Sequence, residues 1–249
     1  MRNAQRSSAR FALRCLSTIG MAAAAMLLAA PARAQSDATG HWKGSVQVQA
    51  MQLDFIVDIA KTAHGDLVGT IGLPSQHIKG LPLLKVAVDG KTVTFFARED
   101  QPFRGTFGDA GTIAGDMTVE GLAAPFTMTR SGEATIDAPP RSAGIDKALA
   151  GTWSGALKAG ARQLRLVVAL AVEPDGTMTA EMTDIDEGGL KSPAKITQQG
   201  STVTIETLAV PATISGTLNA DATELNGTFT QGPNSLPLTL RHAAGKDKE

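Results

Sequence analysis

Few side chains in this sequence are placed to do acid–base, nucleophilic or metal chemistry. Gly151-Thr152-Trp153-Ser154-Gly155 sets a serine among glycines. A hydrolase elbow needs Gly-x-Ser-x-Gly on a strand–turn–helix corner. Ser154 stands one position too late and falls in a strand-like stretch, so it reads as a surface residue. Beyond Ala34 there are four histidines, His41, His64, His77 and His242, none at metal-ligand spacing from another. His77 lies in the polar run Ser75-Gln76-His77-Ile78 and reads as a solvated loop residue rather than a general base. The densest carboxylate cluster is Asp184-Ile185-Asp186-Glu187-Gly188-Gly189. Asp184 and Asp186 alternate as calcium ligands do, but only part of a calcium-loop pattern is present. They are the weak calcium candidates, and a solvated loop is the favoured reading. No G-x-x-x-x-G-K-[ST] loop occurs. The expectation is a chain with no catalytic residues, no cofactor and no resident metal.

Apolar chemistry is better represented. Six phenylalanines, Phe55, Phe95, Phe96, Phe103, Phe107 and Phe126, fall in one stretch of the chain, whereas the corresponding later stretch holds only Phe229. Phe55, Phe95, Phe103 and Phe107 are the candidates for lining a pocket that takes a small apolar ligand. The competing reading is that they fill a core.

Composition excludes other classes. The 249 residues carry 23 Lys+Arg against 24 Asp+Glu, with no Tyr and 4% aromatics. A nucleic-acid binder would want a basic surface and aromatic stacking platforms. A single Cys, Cys15, can build neither a disulfide framework nor a cysteine-ligated zinc site. At 43% hydrophobic residues, the chain has enough apolar content to fold.

The N-terminus has the pattern of a secretory signal. Arg2, Arg6, Arg10 and Arg14 precede an apolar run from Ile19 to Ala30, and Ala32-Arg33-Ala34 precedes Gln35. The run is too short to span a bilayer, and no later stretch is long enough either. Cys15 lies before the run, which argues against a lipid anchor. The expectation is export to the periplasm or beyond, with cleavage after Ala34. Positions 1–34 hold five Arg and no acid, so the chain from Gln35 onward has 18 basic against 24 acidic groups, a formal charge of −6.

From Gln35 onward the chain is one unit written twice. Gly40-His41-Trp42-Lys43-Gly44 recurs as Gly151-Thr152-Trp153-Ser154-Gly155, an offset of 111. Gly90-Lys91-Thr92-Val93-Thr94-Phe95 recurs as Gly200-Ser201-Thr202-Val203-Thr204-Ile205, an offset of 110. Arg104-Gly105-Thr106-Phe107 recurs as Ser215-Gly216-Thr217-Leu218 at 111 again. The sequence thus divides into 1–34, a first repeat over 35–132, a linker over 133–147 holding Pro139-Pro140, and a second repeat over 148–245. Asp146 is placed to cap one helical turn at the start of the second repeat.

Within each repeat the apolar period is two. Leu53, Phe55, Val57 and Ile59 alternate with their neighbours, as do Leu164, Leu166, Val168 and Leu170. Asp89-Gly90 and Asp175-Gly176 mark hairpins. Strand-plus-turn units of about 8–12 residues give roughly eight strands per repeat. Gly44 and Gly155, Gly105 and Gly216, and Gly115 and Gly227 sit inside strands, where sharp bending of a closing sheet needs them. The predicted fold is all-β: two tandem antiparallel, up-and-down small barrels of about eight strands.

Each repeat opens with G-x-W and ends with an Arg, giving Trp42 with Arg130 and Trp153 with Arg241. This arrangement resembles the signature of lipocalin-like (calycin) barrels. The resemblance implies that each Trp plugs one barrel end with the Arg packed across it. Arg130 shares the phase of Phe126 and Met128, while Arg241 is out of phase with Leu238 and Leu240. Gly80-Leu81-Pro82-Leu83, Asp89-Gly90, Gly105-Thr106 and Leu236-Pro237-Leu238 also resemble a β-domain that precedes the catalytic domain in some secreted bacterial α/β-hydrolases and serine hydrolases. That resemblance implies an accessory role and brings no catalytic residue.

The expected function is an exported, non-enzymatic binding or accessory protein whose partner is a small apolar molecule or another exported protein, and neither nucleic acid nor a membrane span. The alternatives are an accessory module of a secreted hydrolase system and a hydrolase with an unrecognised site.

Overall fold

The computed structural model describes residues 37–243. The expected signal segment and its cleavage point lie outside them. The described chain is all-β, as the period-two pattern requires. The first repeat forms β1 (Gly40–Val48), β2 (Met51–Lys61), β3 (Leu67–Leu73), β4 (Ile78–Pro82) and β5 (Lys85–Asp89). It continues with β6 (Thr92–Phe96), β7 (Pro102–Phe107), β8 (Thr112–Val119) and β9 (Leu122–Gly132). These make one curled antiparallel sheet in the order β4-β3-β2-β1-β9-β8-β7-β6-β5. In β2, Phe55, Val57 and Ile59 are buried, so the alternation seen in sequence is the inward face.

The second repeat forms β10 (Gly151–Ala159), β11 (Arg162–Val172), β12 (Met178–Asp184) and β13 (Leu190–Gln199). β14 (Thr202–Thr207), β15 (Ala212–Leu218), β16 (Glu224–Gln231) and β17 (Asn234–His242) complete it. These eight strands close into a barrel, with β17 paired back onto β10.

The first repeat departs from the expected eight strands at one place. In the barrel, β13 is continuous, and Ala194 pairs with Ala180 on one side and Thr207 on the other. The first repeat has one more residue here. Leu83 N–H donates to Gly69 O at 2.8 Å, and Leu84 N–H donates to Phe96 O at 2.8 Å. Two residues thus share the place that Ala194 fills alone. The strand divides into β4 and β5, and the ladder is open between them. This insertion is the physical origin of the slip in repeat offset from 111 to 110, and it acts as a bulge does, giving each neighbour its own residue.

Glycine pairs permit the tight curl. Gly105 lies opposite Gly115, and Gly216 opposite Gly227. A Cβ on Gly115 would lie 2.0 Å from Arg104 O, and one on Gly227 2.1 Å from Ser215 O. The backbones approach closely enough that only glycine fits.

Side chains fill the barrel interior. The void beside Leu149, Trp153 and Leu240 measures about 10 Å³, the lower limit of what one water needs. The segment 133–147 is pinned to both repeats. Thr135 N–H donates to Asp58 Oδ1 at 2.8 Å, and Ser142 bridges to Met178 while its Oγ accepts from Ile196 N–H at 3.1 Å. Asp146 caps a 3-10 turn, Lys147–Leu149, by accepting from Ala148 N–H.

Gly115→Val and Gly227→Val are each expected to lower unfolding free energy by roughly 3 kcal/mol in urea titrations. Gly132→Ala, whose Cβ meets nothing within 4 Å, is the control and should change it by less than about 0.5 kcal/mol.

Candidate functional site

The two Trp residues close equivalent ends. Trp42 Nε1–H donates to Ala38 O and Trp153 Nε1–H to Leu149 O, both at 2.9 Å, so each buried indole satisfies its one donor on the chain preceding its strand. The Arg130 guanidinium lies over the Trp42 ring, 5.0 Å from its centroid. Arg241 does not do the same for Trp153. It pairs with Glu224 instead, and His242 stacks on Trp153 at 4.6 Å. The register explains this correction: Trp42 lies opposite Arg130, but Trp153 lies opposite His242. The out-of-phase position of Arg241 in sequence was the visible signal.

The phenylalanines divide in the same way. Phe95 stacks on Phe103 at 4.7 Å, and Phe55, Phe103 and Phe126 meet edge to face at 5.3–6.1 Å. Phe95 is fully buried in this cluster, and Phe107 packs edge-on against Trp42 at the plugged end. Neither lines a cavity, so two of the four pocket candidates are core. The other two, Phe55 and Phe103, belong to the same buried core and also reach the wall of a cavity of about 510 Å³.

That cavity lies at the end of the first sheet away from Trp42. The β1–β2 hairpin contributes Val46, Val48 and Leu53; β3 and β4 contribute Ile71, Leu73, Ile78 and Leu81; β8 contributes Met117 and Val119. The second repeat adds Leu164, Leu190, Val210, the carboxylates of Asp184 and Glu187 and the amide of Gln231, and Gln76, Ala97, Arg98 and Gln101 of the first repeat complete the wall. Equivalent positions of the repeat meet around it: Leu53 and Leu164, Leu73 and Asp184, Gln76 and Glu187. Sequence reasoning treated each repeat as its own container and missed this shared wall.

Three contacts hold the wall in place. Ala209, on the turn after β14, is buried in the first repeat's core, and its carbonyl accepts from Lys79 N–H at 3.2 Å. Arg98 pairs with Glu187 at 3.2 Å, and Glu99 N–H donates to Gly188 O at 3.0 Å.

The two calcium candidates have separate surroundings. Asp186 is clasped by the Arg165 guanidinium at 2.7 Å and by its backbone N–H at 2.6 Å, which holds the carboxyl below its ordinary value. Asp184 faces the cavity. Its Oδ1 is buried with no hydrogen-bond partner among the described residues, and burial, with the nearby Glu187 charge, pushes its carboxyl up. Among the described residues no group of three or more His, Cys, Asp or Glu could hold a metal ion.

The remaining chemical candidates stand apart. His77 is exposed in the left-handed conformation, φ 57°, after a 3-10 turn, and Ser154 is exposed on β10. His41 makes a contact with no signal in the sequence: its Nδ1 lies 2.9 Å from Asp58 Oδ1, the atom that also holds Thr135. No helix among the described residues is long and apolar enough to cross a membrane.

Together these features make a tandem β-barrel-type protein with one filled unit and one cavity-bearing unit. No protein-family profile matches the chain, and no curated protein matches it. Among solved structures it is similar to a candidate outer membrane protein of Bacteroides fragilis, at 13% identity over 82% of this chain and 97% of that one, with a TM-score of 0.26. It is similar also to a Nostoc punctiforme protein of unknown function from the DUF3598 family, at 11% identity over 83% and 96%, with a TM-score of 0.24. Likeness at these scores carries no argument about function.

Arg130→Ala is expected to lower stability by about 1 kcal/mol, and Arg241→Ala, which breaks an exposed pair, by less than about 0.5 kcal/mol, in urea unfolding. Asp184 carries a pH signature. Its folded carboxyl titrates above the unfolded value of 3.8, so the folded chain binds more protons there and stability falls as pH rises through that window. Asp184→Asn should therefore unfold at a higher temperature than the parent at pH 7, with the gap closing below pH 4.

Proposed function

We propose that this protein is an exported, non-enzymatic binding protein for a small apolar molecule, held at the open end of the first repeat. The observation that carries the reading is the cavity of about 510 Å³, lined mostly by aliphatic side chains with Phe55 and Phe103 at its wall and a few polar groups, Arg98, Asp184 and Glu187 among them. Its size is ordinary for small-ligand sites, which are mostly apolar with a few placed polar groups. The contrast within one chain supports it: the second copy closes on a packed interior, while the open sheet of the first leaves this space against it. The space lies where the open sheet of the first repeat meets the second repeat, and both supply its wall. Export rests on the Arg-rich segment, apolar run and Ala32-Arg33-Ala34 of the N-terminus.

The test is a titration with diphenylhexatriene, a neutral apolar dye that fluoresces on leaving water. The parent should bind it saturably. Val48→Trp and Val119→Trp place indoles in the cavity and should weaken binding at least about tenfold while the unfolding midpoint holds, since a lost fit of about 1.4 kcal/mol is a decade. Absence of saturable binding, or equal binding by both variants, would refute the reading.

A further inference from the structure

The cavity wall is mostly apolar, with three amides, Gln76, Gln101 and Gln231, an Arg98–Glu187 ion pair, and one acid, Asp184, that has no ion-pair partner among the described residues. Asp184 lies in that wall half-buried; its Oδ1 is enclosed without a partner among the described residues, and the backbone N–H groups of Asp186 and Glu187 approach its carboxylate, which no cation pairs. A buried acceptor left unpaired costs free energy, and an ionised one costs more. The fold does not require an acid at this position, because its counterpart in the first repeat is Leu73.

The nearby cations are engaged elsewhere. Arg165 is held by Asp186, Arg162 meets Glu187 at 3.4 Å, and Arg98 is shared between Asp100 and Glu187, each at 3.2 Å. An anionic ligand would meet Asp184 with like charge, Glu187 being already paired with Arg98. A hydroxyl would bring one donor. An ammonium brings three donors and the opposite charge.

We infer that the ligand of this cavity is an amphipathic amine, its apolar chain lying against Phe55, Phe103 and the aliphatic wall, its ammonium group held by the Asp184 carboxylate. This rests on the reading of the cavity as an apolar-ligand site. The chain supplies the affinity common to any apolar molecule, and Asp184 supplies the selection among head groups.

Isothermal titration of the full chain with decylamine, decanol and decanoate tests it, each below its micellar concentration at about 0.15 M salt, where surface attraction is largely screened. The parent should bind decylamine about tenfold or more tighter than decanol, and decanoate weakest of the three. Asp184→Leu, which installs the residue type of Leu73, should abolish the preference for the amine while decanol binding persists. Asp184→Asn should do the same, and serves if the Leu variant does not fold. Equal or tighter binding of decanol or decanoate by the parent would overturn the amine assignment while leaving an apolar site standing. So would an amine preference that survives both substitutions, which would mark it as attraction to the acidic surface. If none of the three ligands binds, both the assignment and the apolar-ligand reading fall.

Discussion

A curled sheet must dispose of its edges. A strand edge carries unpaired N–H and C=O groups, and these must be covered, paired or exposed. Both repeats pair their last strand with their first, β9 on β1 and β17 on β10. In the second repeat the remaining seam is closed by a single residue, Ala194, that serves both neighbours. In the first repeat Leu83 and Leu84 divide that duty, and the sheet ends in two edges, β4 and β5. One inserted residue separates the two outcomes.

The consequences reach the interior. In the closed barrel, aliphatic side chains such as Leu157, Leu166, Val168 and Ile196 fill the space between the walls. The first repeat packs its plugged end with Trp42, Phe107 and the phenylalanine cluster, and leaves space at the other. β4, one of its free edges, forms part of the cavity wall through Ile78 and Leu81. The second repeat covers that edge: Ala209 packs into the first repeat's core, and its carbonyl takes the Lys79 N–H. The edge that one repeat leaves open is answered by the other.

Electrostatics at the shared wall follow from the same arrangement. The end of β12 and the loop after it bring Asp184, Asp186 and Glu187 to the junction. Arg165 and Arg98, from different repeats, neutralise Asp186 and Glu187. Asp184 alone turns toward apolar surface, where desolvation opposes its charge. A carboxylate cluster that reads as a partial calcium loop is thus separated by its partners into one clasped acid and one left facing the cavity.

Strand content, the duplication and the in-strand glycines are legible in the order of amino acids. These are local or repeated properties: alternation sets which face is buried, and a repeat testifies twice. The phase of Arg241 already showed that it would not match Arg130, because side-chain direction in a strand alternates strictly. What lies across space had to wait for the folded chain. Phe55 and Phe103 reach a cavity wall, while Phe95 is enclosed by Phe103 and Phe126 and Phe107 packs against Trp42 at the other end, a division that residues of identical pattern do not encode. Asp184 meets an apolar wall that the other repeat builds. Such a pairing depends on how two folded surfaces meet, and no periodicity within either surface encodes it.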